Sequence, residues 1–152
     1  VYAMLSDPDL HQAVRDDANL ADNAVAEGLR LYAPVRMIMR YAMEDIFYNG
    51  LKIPAGTRLA LNWGAGGRDP AVYEDPLKLR LARPQIASQT FGAGGQICPG
   101  RNVVRSISTV VLQVLTQPGV HATLVGEPRW VSADPISFYS HPLSVPVAIE
   151  RV

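Results

Sequence analysis

A chain of 152 residues with 14 basic and 14 acidic side chains carries a formal net charge of zero, and 48 % of its residues are hydrophobic. That length and composition suit one domain, or a piece of a larger one, with a buried core. The charge balance excludes the basic footprint of a protein that binds nucleic acid or an anionic membrane surface. No run of about 18 apolar residues is present to cross a bilayer. No charged-then-apolar signal segment opens the chain. The single cysteine, Cys98, rules out an intrachain disulfide and points to a reducing, cytoplasmic setting.

In chain order, "SDPDLHQAVRDD" (6–17) predicts a short helix with Ser6 as N-cap and Pro8 in its first turn. A second helix is expected from Leu20 to Tyr32, with Ala24, Val25, Gly28, Leu29 and Tyr32 on one face and Pro34 ending it. Then comes a strand-rich block. "VRMIMRYA" (35–42) reads as extended, "DIFYNGLKIP" (45–54) as a hairpin around Asn49-Gly50, and "TRLALNW" (57–63) as a further strand. The stretch 64–98 reads mostly as loop, broken by Gly64, Gly66, Gly67, Pro70, Pro76 and Pro84. A helix follows from Arg101 to Leu115, its apolar side formed by Val104, Ile107, Val111, Val114 and Leu115. The tail, 119–152, alternates short strands with prolines, among them Pro128, Pro135 and Pro146. Met37, Met39 and Met43 fall on one side of a strand, and Trp63, Trp130, Tyr73 and Tyr139 read as core or edge aromatics. Short hairpins rather than βαβ alternation make the class α+β.

The stretch "TFGAGGQICPGRNVVR" (90–105) carries the chemistry. Cys98 sits just before a helix start, where unpaired backbone N–H groups and the positive end of the helix dipole favour thiolate over thiol. Gly92, Gly94, Gly95 and Gly100 let the backbone turn tightly and approach a flat ligand without Cβ contacts. A thiolate on such a loop, with Phe91 as an apolar neighbour, suits a soft metal or haem iron. A buried structural cysteine is the plainer alternative. Nucleophilic catalysis would need a base, and His11, His121 and His141 are scattered and form no pairing motif. "GAGGQI" begins like a dinucleotide loop, but Ile97 stands where the last glycine belongs, and no crossover unit surrounds it.

"FGAGGQICPG" resembles the cysteine-ligand loop of the cytochromes P-450, the haem-thiolate monooxygenases, at Phe91, Gly94, Cys98 and Gly100. It departs at Gln96, where the family usually has a basic residue facing a haem propionate. "EGLR" resembles the E-x-x-R signature with Glu27 and Arg30. "RDPAVYEDPLKLRLAR" resembles the segment whose arginine, here Arg83, completes that ion-pair cluster. "RYAMEDIFYNGLKIPAGT" resembles the hairpin after the E-x-x-R helix and places Arg40 where a propionate-binding arginine lies. The cysteine loop, the E-x-x-R pair and the distant arginine stand in the family's order and spacing, and the match is collinear from Val1 to Val152.

The resemblance implies the C-terminal, proximal portion of that fold as a single truncated domain, starting just after the long central helix. It implies haem b (iron protoporphyrin IX) as cofactor, held by Cys98 with Phe91, Gly94, Gly100, Arg40 and Gln96 around it. Glu27, Arg30 and Arg83 would form a structural cluster anchoring the 64–98 loop. It further implies a separate redox partner protein as electron donor and a small apolar substrate. A second copy of the chain or a complementary chain would cover the distal haem face. Three readings stand side by side: part of a haem-thiolate oxygenase, a haem-binding or sensing module without oxygenation, and a haem-free remnant that binds partners.

Overall fold

Two short helices, α1 (Tyr2–Leu5) and α2 (Pro8–Asp16), open the chain in the computed structural model, which describes residues 1–83, 89–131 and 138–151. Four residues carry no readable periodicity, so α1 has no counterpart in the sequence expectation. The N-cap of α2 is Asp7 rather than Ser6. Asp7 is extended (φ −126°, ψ 99°), and its carboxylate accepts the Leu10 N–H at 3.1 Å. Ser6 instead closes α1, its hydroxyl donating to the Tyr2 carbonyl at 2.9 Å. The backbone path sets this choice, since Ser6 belongs to the close of α1, and the charge of Asp7 then suits the positive end of the dipole. Pro8 takes the first helical position, where its missing N–H costs nothing. Leu10 and Val14, one helical turn apart, turn inward and are buried.

Asp17 ends α2 and at once caps a single 3-10 turn, Ala18–Leu20, accepting the Asn19 N–H at 3.0 Å. α3 (Ala21–Leu31) follows, buried on more sides than a one-face reading allows. Ala21, Ala24 and Val25 face the core, Glu27 and Arg30 are buried on another side, and Tyr32, expected on the apolar face, is exposed. The core joins Met4, Leu10, Val14, Ala21, Ala24 and Val25 to Leu112, Leu115 and Ala122. The alanines of α3 let the helix α5 (Arg101–Leu115) approach closely.

Among the described residues the strands form four separate two-stranded antiparallel sheets, so the class is mixed α+β. β1 (Met37–Tyr41) pairs with β4 (Arg58–Asn62) in the register Met37 opposite Asn62. β2 (Ile46–Tyr48) and β3 (Leu51–Ile53) form the expected hairpin. Asn49 and Gly50 both have positive φ (48° and 78°), as its tight turn demands. Met43 lies beyond β1 and is 90 % exposed, so it does not share a strand face with Met37 and Met39. Trp63 opens a one-turn helix, α4 (Trp63–Gly66), instead of closing a strand, because the Asn62 side chain caps it at the Ala65 N–H (2.9 Å). β5 (Val120–Leu124) pairs with β8 (Val147–Arg151), and β6 (Arg129–Trp130) with β7 (Pro142–Ser144). Of the expected breakers, Pro84 and Pro135 lie outside the described residues.

α5 keeps its expected span but not its expected face. Leu112 and Leu115 are buried, whereas Val104, Ile107, Val111 and Val114 are all exposed, as are Val103 and Val110. The helix buries a narrow stripe against α3 and β5 and leaves a branched aliphatic face open. Among the described residues no helix is long and apolar enough to cross a membrane.

Candidate functional site

Glu27 and Arg30, three apart on α3, share a face turned toward the 67–83 loop. The Glu27 carboxylate accepts from Arg30 Nε at 2.7 Å and Arg30 Nη2 at 2.9 Å, a bidentate fork. It also accepts the Arg80 backbone N–H and Arg83 Nε, both at 3.1 Å. Arg30 spends its remaining donors on loop carbonyls: Nη1 on Gly67 (2.7 Å) and Pro76 (2.6 Å), Nη2 on Lys78 (2.9 Å). All five N–H donors of the guanidinium are thereby used. Arg83 Nη1 donates to the Glu74 carbonyl at 2.6 Å. Arg30 is 2 % exposed, Glu27 6 %, and the Arg83 side chain 7 %. Burial by itself would raise the Glu27 carboxyl. The hydrogen bonds from Arg30, the Arg80 N–H and Arg83 outweigh it and hold that group below the usual carboxylate range.

Two neighbours make this junction tight. A Cβ at Gly67 would sit 2.5 Å from the Arg30 carbonyl oxygen, so only glycine fits. Arg68 reaches back to donate to the Leu31 carbonyl at the end of α3 and to the Gly64 carbonyl (3.0 Å). The cations lie where the last carbonyls of α3 need partners.

Beyond the cluster the chain reaches the cysteine loop. The Thr90 hydroxyl donates to the Leu29 carbonyl of α3 at 3.1 Å, fixing the 3-10 turn Gln89–Phe91 to that helix. The Cys98 N–H donates to the Phe91 carbonyl at 2.8 Å, and the Arg101 N–H to the Cys98 carbonyl at 3.3 Å. The loop is therefore closed on itself at its cysteine and joined directly to α5. Gly92 (φ 75°) and Gly94 (φ 64°) occupy the left-handed region. A Cβ at Gly94 or Gly95 would meet nothing within 4 Å, so open space lies beside the loop there. Cys98 is a free, half-buried thiol. A cavity of about 540 Å³ lies between this loop and the cluster, lined by Leu29, Tyr73, Arg83, Phe91 and Arg101. Neither Cys98 nor any histidine lines it.

The structure thus brings Glu27, Arg30 and Arg83 together and places Phe91, Gly94, Cys98 and Gly100 on one loop. Gln96 is exposed on that loop. Arg40 stands exposed on β1, with Nη1 on the Met39 carbonyl at 2.9 Å. His11 and His121, scattered in sequence, are neighbours in the fold. Burial, then Arg15, then His121 lower the His11 pKa, and its Nε2 is enclosed without a partner among the described residues. Sequence reasoning missed the carbonyls of Gly67, Pro76 and Lys78, the Arg80 N–H, and Arg68. Backbone acceptors leave no mark in a sequence, although "GGR" at 66–68 marks a tight turn beside a cation.

As to what this donor set can hold, no group of three or more His, Cys, Asp or Glu side chains suited to a metal exists among the described residues. A lone thiolate secures iron only when another ligand supplies the remaining donors, as a porphyrin does with its four nitrogens. The single soft donor and the uncrowded glycines beside it fit a flat macrocycle.

A family model described as cytochrome P-450 matches residues 4–117. The beta-dihydromenaquinone-9 omega-hydroxylase of Mycobacterium tuberculosis is 31 % identical over 133 residues, 87 % of this chain and 27 % of that protein. The 6-deoxyerythronolide B hydroxylase of Saccharopolyspora erythraea is 33 % identical over 114 residues, 75 % of this chain and 28 % of that protein. The crystal structure of CYP108D1 from Novosphingobium aromaticivorans superposes with a TM-score of 0.87 at 36 % identity, covering 99 % of this chain and 36 % of that one. The chain thus spans about a quarter of the length of the curated relatives it matches.

Proposed function

The chain belongs to the cytochrome P-450 family, and we propose that it forms the proximal, haem-ligating part of a monooxygenase-type oxidoreductase in which the Cys98 thiolate binds the iron of haem b. The observation that carries this reading is the placement of the only cysteine. It sits on a self-closed glycine loop beside open space, directly before α5.

In this reading each part of the chain has a defined task. Cys98 would hold the iron through its thiolate. Gly94 and Gly95 keep the loop clear of side chains where the macrocycle would lie, and Gly100 lets the chain pass into α5 next to the sulfur. A Cβ on Gly100 would lie 3.8 Å from Cys98 Sγ. Phe91 supports the loop through its carbonyl and supplies apolar surface. Arg40 and Gln96 would bind the propionates. Gln96 would donate a hydrogen bond without charge, so that corner would bind more weakly than with a basic residue. Glu27, Arg30 and Arg83 anchor the loop that delivers the cysteine. Bound there, haem supplies oxygen activation, with electron density donated by the thiolate, as in the family's members generally. Electrons come from a separate redox partner, and the reaction class is hydroxylation of a small apolar substrate.

Haem binding without oxygenation is the second reading. It is favoured by the open aliphatic face of α5. In that case oxygenation requires the remainder of the family fold, a complementary chain or a second copy to cover the site. Haem titration tests the reading common to both. The wild-type chain saturates at one haem per chain, and Cys98→Ala lowers the affinity. Equal affinities for the two chains would assign haem binding to some other group.

A further inference from the structure

The Glu27 cluster sets two guanidinium cations against one carboxylate, all three shielded from water. The surplus cation is costly there unless something negative faces it. Arg30 has used every donor in its plane. Only the two faces of the guanidinium remain, and they bear no N–H. Tyr73, 4 % exposed, meets this need. Its ring centre lies 5.0 Å from the Arg30 guanidinium carbon and 5.6 Å from that of Arg83. The face of an aromatic ring is the negative side of its quadrupole, and its attraction for a cation grows as water is excluded.

We propose that Tyr73 is a positioning residue. Its ring offsets the surplus positive charge of the Glu27–Arg30–Arg83 cluster and thereby fixes the segment that leads to the Cys98 loop. Arg83 lines the same cavity as Phe91 and Gly94 of the cysteine loop, so its placement bears directly on that loop. The purpose of that positioning rests on Cys98 being the haem ligand, but the contact itself does not.

The test replaces Tyr73 in the full chain by Phe, then by 4-fluoro-, 3,5-difluoro- and 3,4,5-trifluorophenylalanine. The series holds size nearly constant and drains negative charge from the ring face step by step. Two readouts are taken on haem-free protein: the urea midpoint, and the rate at which a maleimide labels Cys98, the only cysteine. Tyr73→Phe keeps both values. Along the series the midpoint falls stepwise, the folded-to-unfolded ratio dropping by about tenfold in all, and the labelling rate rises in the same order. The same replacements at Tyr48, 66 % exposed, change neither. A flat or rising midpoint would overturn the cation contact. A falling midpoint with constant labelling would overturn the positioning role. Because neither readout uses haem, failure of haem to bind would count against the proposed function alone.

Discussion

Replacing Arg30 by lysine keeps the charge beside Glu27 and removes the fork. An ammonium has three donors, whereas Arg30 makes five hydrogen bonds in a rigid plane, three of them to loop carbonyls at Gly67, Pro76 and Lys78. Lys78 and Glu27 keep donors from Arg83, but an ammonium held at Glu27 cannot reproduce the planar reach of Nη1 to the Gly67 and Pro76 carbonyls, so these two acceptors lose their partner in a site that is 2 % exposed at Arg30. Each buried acceptor left unpaired costs about 1–3 kcal/mol, so Arg30→Lys should destabilise the chain by about 2–6 kcal/mol. That is a large share of the roughly 5–15 kcal/mol of a typical domain. The control is Arg80→Lys, whose side chain pairs at 2.8 Å with the exposed Glu74 carboxylate and should leave the urea midpoint unchanged. Urea unfolding of the full chain reads both, with the midpoint shifting at constant slope. If Arg30→Lys lay within about 0.5 kcal/mol of wild type, the loop carbonyls would have other partners and the anchoring argument would fail.

Glu27→Ala leaves two buried cations unmatched and should cost about 3–5 kcal/mol. Arg83→Ala should cost less, because Arg30 still neutralises the carboxylate, and the double variant should fall short of the sum by about 0.5–3 kcal/mol. Additive losses in a double-mutant cycle would show that the two groups do not interact. Gly67→Ala places a Cβ 2.5 Å from the Arg30 carbonyl oxygen. It should lower the urea midpoint by the equivalent of about 1–3 kcal/mol, whereas Gly66→Ala, with nothing within 4 Å of the added atom, should not share that steric loss. For His11, burial, Arg15 and His121 lower the folded-state pKa, so the unfolded chain takes up the proton first. This contribution to stability is complete above about pH 6.5 and is lost as pH falls from there through the lower folded-state value. His11→Gln should flatten that limb of the stability–pH curve, and an unchanged slope would assign the titration to another group.

Legibility in the sequence followed the range of each signal. Asn49-Gly50 specifies its turn by local backbone preference, and α5 reads correctly from Arg101 to Leu115 because its period is local. The buried side of α5 did not, since periodicity ranks faces by apolarity and cannot know which one a neighbour covers. Leu112 and Leu115 meet α3 and β5 while the valines stay open. Asp7 and Ser6 are adjacent cap formers, and only the backbone path chooses between them. At the site, the spacing of Glu27 and Arg30 already puts them on one helical face. The carbonyls that complete Arg30 come from residues 67, 76 and 78, whose side chains are irrelevant to the contact. Tyr73 read as an ordinary core aromatic because two arginines 43 and 10 positions away meet it only through the fold.

The central claim is that the Cys98 thiolate is the iron ligand, and one spectrum tests it most directly. The chain is loaded with haem and reduced, carbon monoxide is added, and the absorption is recorded for wild type and for Cys98→Ala. Wild type should give the strongly red-shifted band for which the family is named, and Cys98→Ala should lack it. The same spectrum from both chains, or an unshifted band from wild type, would contradict the assignment.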